Sequence, residues 1–146
     1  MEEMNRLRLF TVEEANHLIP QLEPLILELR EKRELILAQE VEIDALELVA
    51  EKTAESASPA IHRKVEDYQN NVNRLYAVVD TIYELGGFLK DLDLGLVDFY
   101  TLYQGRVVYL CWKMGEKEIT TWHEVGRGYS FRQPIEFERK DRESSG

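Results

Sequence analysis

Cysteine is almost missing from this chain of 146 residues, with Cys111 standing alone. A single thiol permits no intramolecular disulfide, and it excludes zinc sites built from several cysteines. Basic residues are also short, at 18 Lys and Arg against 28 Asp and Glu, for a formal net charge of -10. That balance disfavours broad DNA or RNA binding, which depends on clustered cations facing phosphates. Arg127 and Arg132 form a small basic patch at most. Anionic membrane surfaces are disfavoured for the same reason. No long uncharged apolar run occurs and no signal-peptide core, so the expected location is the cytosol.

What is present is enough apolar material for a core, 44% of residues, and a length typical of one domain. We read residues 1–146 as a single α+β domain. Residues 11–86 form a helical hairpin, 88–137 a β-meander and exit segment, and 138–146 a charged, frayed tail. Thr11 followed by Glu14 makes a capping box, and Pro20 and Pro24 predict a kink or a short first helix. Leu22, Leu25, Leu29, Ile36, Ile43, Leu46 and Ala50 then keep a heptad seam, with Lys32 and Gln39 at two of its positions. Ser58-Pro59 matches a cap and a first-turn proline. The second seam, Ile61, Val65, Tyr68, Val72, Leu75, Val79 and Ile82, alternates four and three as in a coiled coil. Gly86-Gly87 stops that helix. The two helices are expected to pair antiparallel.

The period then changes to two. "VDFYTLY", "RVVYLCWKM" and "KEITTWHEV" read as three antiparallel strands joined by turns at Gln104-Gly105 and Gly115-Glu116. Two-residue turns set the register. Tyr103 is expected opposite Arg106, Thr101 opposite Val108, Phe99 opposite Leu110 and Val97 opposite Trp112. In the second hairpin Trp112 would face Ile119, Leu110 Thr121, and Val108 His123. One face would then carry Val97, Phe99, Thr101, Val108, Leu110, Trp112, Ile119, Thr121, His123 and Val125 as core. The other would carry Asp98, Tyr100, Tyr109, Cys111, Lys113, Glu118, Trp122 and Glu124, too aromatic for plain solvent surface.

Three clusters could carry chemistry. Asp91, Asp93 and Asp98 lie within eight residues and are oxygen donors suited to a divalent metal, although turn-forming aspartates before a strand are the favoured explanation. His123 and Glu124 are adjacent, but strand alternation sends them to opposite faces. On the expected register His123 enters the core face and sits at the other end of the sheet from Asp98, so a joint site would need a second subunit. The third cluster is "HEVGRGYSFRQP", where His123, Glu124, Arg127 and Arg132 could bind a phosphate or carboxylate at a glycine-rich turn. Cys111, between Leu110 and Trp112, reads as a packed small hydrophobe.

Several stretches together resemble one family. "LFTVEEANHLIPQLEPLI", "LKDLDLGLVDF", "GRVVYLCWKMGEKEI" and "WHE" followed by glycine are similar to the DUF2203 family of uncharacterised prokaryotic proteins. The likeness spans most of the chain outside the middle of the helices. The segment Gly128-Tyr129-Ser130-Phe131-Arg132 stands where the family often has a Gly-Phe-Ala-Gly-Arg-type ending, with Phe131 at the second glycine. The resemblance implies a bacterial or archaeal cytosolic protein and carries no activity.

Two functions follow. The favoured expectation is a non-catalytic binding or self-assembly module, a homo-oligomer with a dimer first, because both helix seams and both sheet faces carry apolar residues. The alternative is a small-ligand or divalent-metal-binding enzyme using the His123/Arg132 corner or the Asp91–Asp98 loop.

Overall fold

Thr11 starts a short helix, α1 (Val12–Asn16), with a complete capping box. Its side chain accepts from the Glu14 backbone, and the Glu14 carboxylate accepts from the Thr11 N–H. The chain turns at His17 and continues as α2 (Ile19–Lys52), with Pro20 in its first turn and Pro24 inside the helix. The structure, a computed structural model, describes residues 7–53 and 58–136. The middle of the expected interhelix break and the charged tail expected from residue 138 lie outside the described residues. The second long helix, α3 (Pro59–Glu84), begins as expected, with Ser58 Oγ accepting from Ile61 N at 3.3 Å. It ends where Gly86 takes φ +101°. Gly87 N donates to Ile82 O and Gly86 N to Tyr83 O, the pair of bonds that closes a Schellman C-terminus.

The chain divides into two compact units, residues 27–81 and residues 1–26 with 82–146. In the first, the two helices run antiparallel. Glu42 pairs with Lys64, Glu40 accepts from Tyr68, and Gln39 accepts from Asn71, so one number falls as the other rises. The expected seam holds in outline, with Leu29, Ile36 and Ile61 buried. Ile43, Leu46, Tyr68, Val72 and Leu75 are half-buried. Gln39 is tolerated on it because Asn71 satisfies its amide at 3.1 Å. Val65 departs from expectation at 40% exposed, while Val78 is buried.

The second unit holds an antiparallel sheet of five strands in sequential order, not the three expected. They are β1 (Phe88–Asp91), β2 (Leu96–Tyr103), β3 (Arg106–Lys113), β4 (Thr121–Glu124) and β5 (Gln133–Pro134). The short outer strands lack the long aromatic run of the inner ones, so alternation alone does not reveal them. The β2–β3 hairpin has the expected register throughout, Tyr103 opposite Arg106 to Val97 opposite Trp112. Its turn places Gln104 at φ 51° and Gly105 at φ 75°, the two positive values of a type I′ turn.

The β3–β4 register differs from expectation by one residue. Leu110 faces Trp122, Cys111 faces Thr121, Tyr109 faces His123 and Val108 faces Glu124. The turn at Gly115 exists, with Glu116 N donating to Lys113 O, but pairing does not resume after it. Glu116 instead serves the end of β3: its carboxylate accepts from Lys113 N and its carbonyl from the Trp112 indole. Residues 114–120 form a loop, tied by Ile119 N to Asn16 Oδ1 at 2.7 Å. Because side chains alternate, an offset of one exchanges the faces of the whole strand. Trp122 therefore belongs to the core side, against Tyr103, and His123 to the opposite side.

Val97, Phe99, Val108, Leu110 and Trp112 are fully buried on the core face. Phe10 meets Phe99 edge-on and donates its N–H to Tyr100 O. Among the described residues no helix is long and apolar enough to cross a membrane. Gly87 lies against the same face: an added Cβ would stand 2.8 Å from Val97 Cγ1 and 3.3 Å from Ile82 and Phe99. Gly87→Ala is expected to lower unfolding free energy by about 1–3 kcal/mol, the usual cost of overpacking, measured as a lower denaturant midpoint with unchanged slope.

Candidate functional site

The face exchange puts His123 beside Asp98. Asp98 lies on β2 directly opposite Cys111 on β3, and His123 lies on β4 opposite Tyr109, one step along the same face. Strands two apart are roughly 9–10 Å from each other, so the outer side chains must lean over β3 to meet. They do: His123 Nε2 is 2.9 Å from Asp98 Oδ2, with both residues at most 3% exposed. Cys111 lies between them on the middle strand, and its small side chain leaves the room for that reach. Joining Asp98 and His123 thus needs one subunit only, a correction to the separation expected from a two-residue turn.

The other imidazole nitrogen identifies the proton positions. His123 Nδ1 is 3.0 Å from the Glu124 carbonyl, which can only accept, so Nδ1 carries hydrogen. One proton then lies between Nε2 and Asp98 Oδ2. A Cys–His–Asp nucleophilic triad is excluded by this geometry, because neither ring nitrogen is left to face the thiol. Burial, with the Asp98 carboxylate adding to it, pushes the Cys111 thiol up to about 12, the reverse of an activated nucleophile. Burial likewise raises the Asp98 carboxyl above its usual range, against the lowering effects of His123, the adjacent Cys111 thiol and Lys90.

Asp98, Cys111 and His123 line a cavity of about 350 Å³, with Lys90, Leu96, Tyr109 and the segment Gly126–Tyr129 around it. Lys90 owes its position to an irregularity between Leu89 and Asp91 in the β1–β2 ladder, and such bulges re-aim side chains. Its ammonium sits 4.4 Å over the Tyr109 ring and 3.3 Å from the Tyr109 hydroxyl. Tyr109 stacks on Tyr100 with centroids 5.0 Å apart. Across the opening, Gly126 at φ +90° turns the chain after β4 and brings Arg127 to the wall.

The residues singled out in the sequence separate into two groups. His123, Arg127 and Asp98 share the cavity. Glu124 lies on the other face of β4 and pairs with Arg106. Arg132 is held by Glu116 at 3.4 Å and the Tyr129 hydroxyl at 3.2 Å, with its guanidinium over the Tyr129 ring. Asp91 accepts from Leu94 N at 2.9 Å, a turn role, and Asp93 is exposed. Lys90, Tyr109, Tyr129 and the chemical neighbourhood of Cys111 were missed. The signal was Trp122 itself, which is a far better core residue than His123 and argues for the observed offset.

A helical pair and an antiparallel sheet with a buried Asp–His pair under a cation-rimmed cavity describe the molecule at the level of class. The chain belongs to the DUF2203 family, described as an uncharacterized conserved protein, whose model matches residues 8–135 and so includes every cavity residue. No curated protein and no solved structure matches the chain significantly.

Removing one partner of a buried pair leaves the other without compensation, at a cost of about 3–5 kcal/mol. Asp98→Ala and His123→Ala are therefore expected to be strongly coupled. The double variant should lose less stability than the sum of the single losses, by more than about 1 kcal/mol in a denaturation cycle.

Proposed function

We propose that this chain is a ligand-binding protein of the prokaryotic cytosol that takes a small phosphate- or carboxylate-bearing molecule into the cavity over Asp98 and His123. The observation that carries this is the placement of Lys90 and Arg127 around a cavity whose floor is polar and buried, on a chain with net charge -10. Cations gathered at one concavity of an acidic protein make a local anion site. At about 350 Å³ the cavity lies at the small end of ligand pockets, roughly 300–1,000 Å³. Tyr109 and Tyr129 supply apolar walls with hydroxyl tips. Inorganic phosphate or malonate should raise the melting temperature more than sodium chloride at equal ionic strength. At about 100 times Kd the stabilisation is about 2.7 kcal/mol. Lys90→Ala combined with Arg127→Ala should remove the difference; an equal response to all salts would sink the reading.

A second reading, self-assembly through α2, rests on an independent observation. Leu27, Val41 and Leu48 stand at multiples of seven, with Leu37 one turn before Val41, and all four are at least 53% exposed. They form an apolar stripe on the helix away from the seam used by α3. This reading expects a dimer by light scattering at micromolar concentration and a monomer for Val41→Glu with Leu48→Glu. A wild-type monomer would eliminate it.

A further inference from the structure

We infer that Asp98, Cys111 and His123 are the ligands of a transition-metal site, with zinc the best-matched ion. Among the described residues these three form a group whose ligand atoms all lie within 4.8 Å of one another. They come from three neighbouring strands, and each residue is at most 3% exposed. The arrangement is thus held by the sheet and not by a mobile loop.

Three features of the cluster favour a metal over a purely structural hydrogen bond. Asp98 Oδ1 is buried without a hydrogen-bond partner of good geometry, which is a costly condition for a carboxylate oxygen and an available lone pair for a cation. His123 donates Nδ1–H to the Glu124 carbonyl at 3.0 Å, which orients Nε2 toward Asp98. That outer hydrogen bond is the usual support of a metal-bound imidazole. The donor set is one oxygen, one nitrogen and one sulfur. Magnesium and calcium prefer all-oxygen surroundings, whereas zinc accepts all three donor types.

Charge is balanced as well. Binding replaces two protons, the one between Asp98 and His123 and the one on the Cys111 thiol, leaving a carboxylate, a thiolate and a neutral imidazole around a dication. Three protein ligands leave a fourth position, and the cavity lies on the exposed side of the cluster. Zinc sites that act on a ligand are built with such an open position. The anion of the preceding section would approach it between Lys90 and Arg127, but metal uptake does not depend on that reading.

The test uses the whole chain, stripped with chelator and then loaded with zinc or cobalt(II). We expect one zinc per chain by elemental analysis after gel filtration. Cobalt should give a thiolate-to-metal charge-transfer absorption that disappears in Cys111→Ser. Asp98→Asn and His123→Gln should each weaken zinc binding at least tenfold, while Asp91→Asn with Asp93→Asn leaves the stoichiometry unchanged. Circular dichroism and a cooperative melt establish that each variant is folded. A folded wild type that retains no metal overturns the site, as does metal retained equally by the three ligand variants or a cobalt spectrum without the thiolate band. Lys90→Ala with Arg127→Ala separates the proposals: metal kept with phosphate binding lost supports both, whereas a wild type that binds phosphate and takes up no metal leaves only the anion site.

Discussion

Glu116 decides where the last hairpin can pair. It accepts from the Lys113 N–H with its carboxylate and from the Trp112 indole with its carbonyl, so the Lys113 N–H is withdrawn from a ladder to β4. β4 then joins with an offset of one residue, and every side chain on it changes side. The core gains Trp122, and the polar face gains His123. Both the packing of the sheet and the chemistry of the cavity descend from that local choice.

The polar face works because its central position is small. Asp98 and His123 approach each other across an intervening strand, which a leucine or phenylalanine at position 111 would obstruct. Cys111 provides a low side chain there and, in the same place, a sulfur atom facing two other donors. The bulge at Lys90 and the turn at Gly126 then bring cations to the two sides of the opening. An ordinary meander becomes a concave site through three local departures: a strand-ending glutamate, a bulge and a left-handed glycine.

Features decided by a few neighbouring residues were legible in the sequence. The Thr11–Glu14 capping box, the Ser58-Pro59 start, the Gly86-Gly87 stop and the Gln104-Gly105 hairpin all occur where their residue types require. The antiparallel helix pair follows from two apolar seams, although Val65 shows that strict spacing does not ensure burial. The β3–β4 offset was harder to read, since Gly115 does make a turn while the strand restarts only at Thr121. Counting from the turn assumed uninterrupted pairing and so separated Asp98 from His123. Comparing Trp122 with His123 as core residues would have corrected the parity. The short strands Phe88–Asp91 and Gln133–Pro134 give no periodic signal at their length.

If the cavity walled by Lys90 and Arg127 takes an anion, as proposed, the acidic chain around it also bears on how quickly that anion arrives. The net charge of -10 repels an approaching anion within about a Debye length of the surface, roughly 8 Å at physiological ionic strength, and is largely screened beyond it. Only at the opening does the local attraction prevail. Added salt would therefore speed encounter by screening the repulsion, while it would weaken the held complex by screening the cations. On the proposed reading, association and residence would respond to ionic strength in opposite senses, so the cavity would favour ligands present at high concentration over scarce ones that must be captured from afar.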